Sequence, residues 1–318
     1  MKILIHFGFD ESQIEELREL ADRCGSHQVL LASAEEEALL IAADIEVILG
    51  HFPEPVTQAA SSLRWIQSFS AGMDKLLYPS IIERDEVTIS NMAGLYAPQG
   101  GEHAWALLLA LARGMLPSIR NMTTREWKGG VSTEITGTTL GILGLGGFGQ
   151  ETAQRAAGFD MRLIGLDPIR LEPENGFSEV RTPTKENLHW MLSESDSVVV
   201  ACPLTAETHH MIGAEELAQM KSSAYLICTS RGGIIEENAL AEALQNGTIA
   251  GSGIDVTEVE PLPEESPLWD APNLILTPHR AGSSQHRPRK TFEFFRDQLE
   301  RYLTGETPRN IIDKRRGY

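Results

Sequence analysis

Short apolar runs recur along this chain, most of them followed by a small or polar residue and then by a helical pattern. In the first third, Lys2–His6, Glu46–Gly50 and Leu63–Ser68 read as strands, with Val87–Ile89 as a fourth. Ser12–Cys24 is an amphipathic helix, so residues 1–98 form a small α/β unit. The centre of Gly101–Met115, Ala104–Ala112, is apolar nearly all round, which predicts a buried helix bridging two units. Arg120–Thr136 is polar and irregular, with Trp127 exposed unless a second subunit covers it. From Thr139 onward strands and helices alternate: Leu140–Leu143, Arg162–Leu166, Ser197–Ala201, Ala224–Cys228, Ala250–Ile254 and Leu274–Leu276. That alternation predicts a parallel sheet with helices on both faces. Residues 283–318 change character again. Gln285–Arg289 is basic, Phe292–Leu303 is a helix, and Asn310–Ile312 is a short apolar end expected to pack on the first unit.

In parallel sheets of this kind, ligands bind outside the carboxyl ends of the strands. The residues that follow each strand therefore carry information. They are Gly144-Leu145-Gly146-Gly147-Phe148-Gly149, Asp167, Cys202-Pro203-Leu204-Thr205, Thr229-Ser230-Arg231-Gly232-Gly233, Asp255 and Thr277-Pro278-His279. The first has G-x-G-x-x-G spacing. With 28 Gly in 318 residues this arises by chance roughly 0.2 times per chain, so spacing alone is weak. Context carries it: a strand precedes, a helix follows, and the next strand ends in an acid. Gly144 permits the tight turn, Gly146 lets backbone approach a pyrophosphate, and Gly149 lets the helix pack close. The helix start near Phe148 offers unpaired N–H groups to phosphates. Asp167 accepts hydrogen bonds from ribose hydroxyls and repels a 2′-phosphate, which favours NAD over NADP.

Composition narrows the class. With 45 acids against 27 bases, the net charge is −18, which argues against a nucleic-acid or anionic-membrane surface. Cys24, Cys202 and Cys228 form no C-x-x-C pair, so reduced thiols are expected. No signal-peptide pattern or apolar run of about 20 residues is present, and a cytoplasmic setting is expected.

Three rim residues suit proton and anion chemistry. Arg231, followed by two glycines, offers a planar fork that matches a carboxylate bidentately. His279, after Thr277-Pro278, carries an imidazole able to give or take a proton near neutral pH. Glu260, in Glu258-Val259-Glu260-Pro261, would orient His279 and keep it a proton donor. His209-His210 lacks a third ligand at metal spacing and receives no role; no metal is expected.

With these residues assembled, the chain resembles the D-isomer-specific 2-hydroxyacid dehydrogenase family over nearly its full length. The resemblance rests on Leu140–Pro168, Thr229–Ile235, Gly253–Val256, and Glu260–Pro263 through Pro278-His279. Ser68–Asp74 and Gly101–Arg113 support it. It implies two Rossmann-like domains of α/β class, with doubly wound parallel sheets and a cleft between them. A discontinuous substrate domain, 1–98 plus 283–318, would hold an inserted NAD-binding domain, 99–282. A homodimer is also implied.

The resemblance assigns roles at the matching positions. Arg231 would bind the substrate carboxylate, His279 would be the acid/base and Glu260 its partner. NAD would be contacted by Gly144, Gly146, Gly147, Phe148, Gly149, Asp167, Pro203, Thr229, Ser230, Arg231, Asp255, His279, Ala281 and Gly282. Backbone amides of Ser70, Ala71, Gly72 and Met73 would grip the carboxylate. The implied reaction interconverts a small 2-oxo acid, glyoxylate or hydroxypyruvate, and a D-2-hydroxy acid. Departures from the family pattern are Met73, where a β-branched residue is common, Asn91–Gln99 with Tyr96, which differs from the phosphoglycerate type, and the unusual basic run His286–Arg289. The rival readings are a phosphite- or phosphoglycerate-type dehydrogenase and an NAD(H)-sensing, corepressor-like binding protein. Formate oxidation is disfavoured, because it needs no proton relay through Glu260.

Overall fold

The computed structural model describes all 318 residues, Met1–Tyr318. The chain divides into two compact units, Met1–Leu95 with Ser284–Tyr318, and Tyr96–Ser283. Each is α/β and Rossmann-like, built on one parallel sheet.

The first unit has five strands: β1 (Lys2–His6), β2 (Gln28–Leu31), β3 (Val47–Gly50), β4 (Trp65–Ser68) and β5 (Thr88–Ser90), in spatial order β2-β1-β3-β4-β5. Its central strands are buried on both faces, as β3 and β4 show along their whole length. Asp10 caps the helix Glu11–Arg23 through a reciprocal box with Gln13, which satisfies N–H groups that the first turn would leave open. The C-terminal segment belongs to this unit. Its helix, Arg287–Leu303, starts five residues earlier than the apolar pattern suggests, because the basic run supplies the first turn. Phe295 is fully buried, with its ring 5.3 Å from Phe7 and 5.2 Å from Phe9, while Tyr302 stacks on Trp65. Ile311 then bridges Ser90 at the edge of the sheet.

The second unit has seven strands: β6 (Thr139–Leu143), β7 (Arg162–Leu166), β8 (Phe177–Arg181), β9 (Ser197–Val200), β10 (Tyr225–Cys228), β11 (Gly251–Ile254) and β12 (Leu274–Leu276). Their order, β12-β11-β10-β9-β6-β7-β8, reverses direction between β6 and β9. That reversal opens a crevice at the carboxyl ends, the place where doubly wound sheets take ligands. The helix Ala97–Ala112 is buried along most of its length. It crosses the helix Gly147–Ala156 at Gly100 and Gly101, where any side chain would strike Phe148 or Glu151. Trp105 fixes the crossing by donating to the Thr152 carbonyl at 3.0 Å.

Three elements differ from the sequence reading. β2 and β8 were not expected. Both are edge strands with little buried surface, so neither shows the apolar run of a covered strand. The segment expected to be irregular from Arg120 opens inside a helix, Met115–Thr124, which ends at Arg125 in the left-handed conformation. That helix buries no residue: its apolar stripe, Met115, Ile119 and Met122, is left exposed. Trp127 beyond it is fully exposed. No helix is long and apolar enough to cross a membrane.

If the C-terminal helix is integral to the first unit, Phe295→Ala should cost about 3–5 kcal/mol, as emptying a large aromatic site does. The urea midpoint of unfolding measures this, and an unchanged midpoint would place the ring outside the core.

Candidate active site

The site is best built strand by strand along the rim of the seven-stranded sheet. After β6, the chain turns at Gly144 (φ 92°), so close to the backbone of Cys202 after β9 that a Cβ would lie 2.6 Å from it. A side chain on Gly149 would overlap the Gly144 carbonyl. Gly146, by contrast, faces open space. It is also the N-cap of the helix Gly147–Ala156, and no side chain caps that end. The leading N–H groups of this helix are thus presented to whatever occupies the turn.

Asp167 ends β7, but its carboxylate does not stand clear. It is buried, and it accepts from the Leu145 N–H at 2.8 Å, from Ile169 at 2.9 Å and from Arg170 at 2.8 Å. The acid therefore holds the glycine turn in shape as well as marking its edge. Pro203 is exposed after β9. Thr229, after β10, is buried and its hydroxyl has no hydrogen-bond partner in the chain. A buried orphan hydroxyl is costly and marks a place for a polar ligand group. An open glycine turn, an uncapped helix start and this hydroxyl together fit the phosphates and polar edge of a dinucleotide.

Arg231 follows on the same strand end, half-buried, with Nη1 donating to the Ser230 carbonyl at 2.7 Å. Gly232 beside it has no room for a side chain, because one would overlap the Thr257 backbone. The Arg231 turn is thereby clamped to the loop after β11. In that loop Glu260 accepts from the Thr257 N–H through Oε1 at 3.1 Å and from His279 Nδ1 through Oε2 at 2.8 Å. The His279–Glu260 pair predicted from sequence is present. With Nδ1–H committed to Glu260, the tautomer is set and the Nε2 lone pair is left available. His279 has φ 51°, uncommon for a residue with a side chain, and its N–H donates to the Asp255 carbonyl at 2.8 Å.

Asp255 has a task that the sequence did not show. Its side chain is fully buried and accepts from Thr277 Oγ1 at 2.6 Å, Arg280 N at 2.8 Å and Ala281 N at 2.7 Å. His103, on the helix Ala97–Ala112, donates to Thr277 Oγ1 at 2.8 Å and lies 3.3 Å from the carboxylate. Burial alone would push the Asp255 carboxyl up, but these four donors outweigh it and hold it below the usual 3.8. His103 escaped the sequence reading because a histidine at the head of an apolar helix carries no motif.

Two thiols floor this rim. Cys202 and Cys228 are buried and unpaired with one another; burial pushes Cys202 up to about 12 and raises Cys228 as well.

The residues Ser70–Met73 lie on the first unit, directly after β4. Met92 N–H donates to the Ser70 carbonyl at 3.0 Å and Asn91 Nδ2 to that of Ala71 at 2.8 Å, which shapes the turn. Met73 is 1% exposed, so its side chain is core and only its backbone can face a ligand.

Comparison with known proteins identifies the family. Residues 105–281 match the sequence model of the D-isomer specific 2-hydroxyacid dehydrogenase, NAD binding domain. The chain belongs to the D-isomer-specific 2-hydroxyacid dehydrogenase family. It is therefore an NAD(P)-binding oxidoreductase. It is 37% identical over 289 residues to glyoxylate/hydroxypyruvate reductase B of Pectobacterium carotovorum, covering 88% of each chain. It is 34% identical over 284 residues to glyoxylate reductase of Korarchaeum cryptofilum, covering 85% of this chain and 83% of that one. The crystal structure of a D-isomer specific 2-hydroxyacid dehydrogenase family protein from Aeromonas salmonicida superposes with a TM-score of 0.82 at 28% identity. That superposition covers 98% of this chain and 99% of the other.

The depressed Asp255 carboxyl ties stability to pH. A lowered folded-state value stabilises the fold above the unfolded value, near pH 4, and the contribution drains as pH falls through the folded one. Asp255→Asn should therefore lower Tm at neutral pH and flatten the acid limb of a Tm-against-pH curve. Parallel curves for the two proteins would remove Asp255 from this role.

Proposed function

We propose that this dehydrogenase interconverts small 2-oxo acids and D-2-hydroxy acids, with glyoxylate and hydroxypyruvate as substrates and NAD(H) as coenzyme. The observation that carries the reading is the His279 Nδ1–Glu260 Oε2 hydrogen bond of 2.8 Å on the rim that also bears Arg231. Its chemistry is that of a carbonyl becoming an alcohol. When bound, the nicotinamide supplies or accepts the hydride. The chain's own residues do the rest.

In the reducing direction, His279 Nε2 delivers a proton to the oxygen of the former carbonyl, while Glu260 stabilises the imidazolium form that precedes delivery. The Arg231 guanidinium pairs with the substrate carboxylate and offsets the negative charge that grows on the carbonyl oxygen. Strand order supports this division of labour. Arg231 follows β10 and His279 follows β12, two strand spacings apart, or about 10 Å between the backbones. A two-carbon or three-carbon acid suits that span. The backbone amides of Ser70–Met73 are proposed as a second grip on the carboxylate. Gly144, Gly146, Gly147, Phe148 and Gly149 are proposed to hold the pyrophosphate, Asp167 the ribose, and Pro203, Thr229, Ser230, Ala281 and Gly282 the remainder. Asp255 acts through His103, Thr277 and the 279–281 backbone as a positioning residue.

The coenzyme preference rests on Asp167. Its carboxylate at the end of β7 would sit against a 2′-phosphate, a like-charge juxtaposition that disfavours NADP. A homodimer in the cytoplasm is also proposed. Its support is the set of apolar side chains left exposed on and beyond the helix Met115–Thr124, namely Ile119, Met122, Trp127 and Val131.

A panel of 2-oxo acids with NADH, followed by loss of absorbance, tests the activity. His279→Ala should lower turnover by about 10²–10⁴-fold, the usual worth of a general acid, while NADH still binds. Arg231→Ala should remove about 2–5 kcal/mol of transition-state binding, seen mainly in kcat/KM. Near-normal rates in either variant would sink its role, and NADH binding without turnover of any acid would favour a sensor. Asp167→Ala should raise the ratio of NADP to NAD efficiency by more than roughly tenfold. The ratio is the readout, because loss of the brace on Leu145 slows both coenzymes. An unchanged ratio overturns the assignment.

A further inference from the structure

The loop that carries Glu260 also carries Glu258, and its side chain completes a group that the sequence reading left incomplete. His209 and His210 are adjacent in the chain, and the third donor comes from 48 positions beyond His210. Glu258 Oε1 lies 3.6 Å from His209 Nε2, and Oε2 lies 3.3 Å from His210 Nε2. One ligand atom from each of the three residues lies within 4.8 Å of the other two. In a tetrahedral zinc site with ligands about 2.0–2.1 Å from the ion, neighbouring ligand atoms are roughly 3.4 Å apart. The two nitrogen–oxygen separations already stand close to that value.

We propose that His209 Nε2, His210 Nε2 and the Glu258 carboxylate form a binding site for a divalent transition-metal ion of the Zn²⁺ class. The donor set, two imidazoles and one carboxylate, suits Zn²⁺, Ni²⁺ or Cu²⁺ and discriminates against the all-oxygen preference of Mg²⁺ and Ca²⁺. Three protein ligands leave a fourth position for water. The residues are exposed, so an ion can enter without unfolding the loop.

The scaffold behind these side chains is already ordered. His210 N–H donates to the Gly233 carbonyl at 2.7 Å, and His209 N–H to that of Thr205 at 3.0 Å. Thr208 Oγ1, one residue before, donates to the Pro203 carbonyl at 2.7 Å. The two imidazoles stack with centroids 3.9 Å apart, and both Nε2 atoms lie near the Glu258 carboxylate. On the facing loop, the Glu258 N–H donates to Glu237 Oε1 at 2.6 Å. Glu237 is thus a second carboxylate behind the first. Gly233 floors the site, since a side chain there would come within 3.6 Å of His209 and 3.8 Å of Glu258.

A second cluster with similar spacing, His189 with Glu215 and Glu216, does not compete. Lys185 Nζ occupies Glu215 at 2.7 Å, so that pair of acids already has its cation.

Occupancy would tie residues 205–212 to the loop from Thr257 to Glu260, two segments that meet on opposite sides of the Arg231-Gly232-Gly233 turn. The ion would be a strut, placed outside the His279–Glu260 pair.

The test uses the full chain without an affinity tag, stripped with a chelator and dialysed. Calorimetric titration with ZnCl₂ should give one saturable equivalent per chain, and CoCl₂ should give the intense visible absorption of tetrahedral cobalt. Zn²⁺ should raise Tm in the parent chain by mass action. His210→Ala and Glu258→Gln should each weaken binding by more than roughly tenfold and abolish the Tm rise. His189→Ala should change neither. No saturable binding, binding that survives both substitutions, or binding lost with His189→Ala would each overturn the proposal. Circular dichroism of the exposed-residue variants verifies that they fold.

Discussion

A buried carboxylate that is denied water must find its hydrogen bonds inside the protein, and at Asp255 that requirement organises the rim. Four donors from two stretches of chain converge on it: His103 from a helix, and Thr277 with the N–H groups of Arg280 and Ala281 from the segment just after β12. Satisfying them fixes the backbone on both sides of His279. The left-handed conformation of His279 is sustained by that surrounding network rather than by local preference. The side chain of His279 is thereby placed by an acid that touches no solvent.

Asp167 repeats the device one side of the sheet away. It too ends a strand, and it too collects backbone N–H groups, one of them from the glycine turn. Two strand-end acids therefore brace two loops of the rim, the glycine turn after β6 and the segment that carries His279. Parallel sheets make this economical, since every strand delivers its last residue to the same edge. The loops differ in length and sequence, yet each is anchored to a rigid strand terminus.

Much of this was legible in the sequence. The buried strands announced themselves as apolar runs, because both of their faces are covered. G-x-G-x-x-G could be trusted once Leu140–Leu143 and Arg162–Leu166 framed it, and His279 was singled out by its place after a strand. What stayed hidden has physical causes. β2 and β8 lie at sheet edges and bury too little to leave a pattern. The helix Met115–Thr124 has an apolar stripe, Met115, Ile119 and Met122, but leaves it exposed, and the polar residues from Arg120 onward masked it. His103, and the approach of Glu258 to His209 and His210, depend on contacts between distant segments, to which no periodicity is sensitive. Met73 shows the reverse limit: its backbone position suits a turn, but only the fold reveals that its side chain is core.

Burial sets the chemistry of the two thiols beneath the rim. A thiol reacts with oxidants and alkylating agents as its thiolate, and a group held near 12 supplies almost none of that form at neutral pH. Cys202 and Cys228 are also shielded from reagents by the strands around them. Burial alone thus keeps both sulfurs in the unreactive thiol form, with no disulfide joining them.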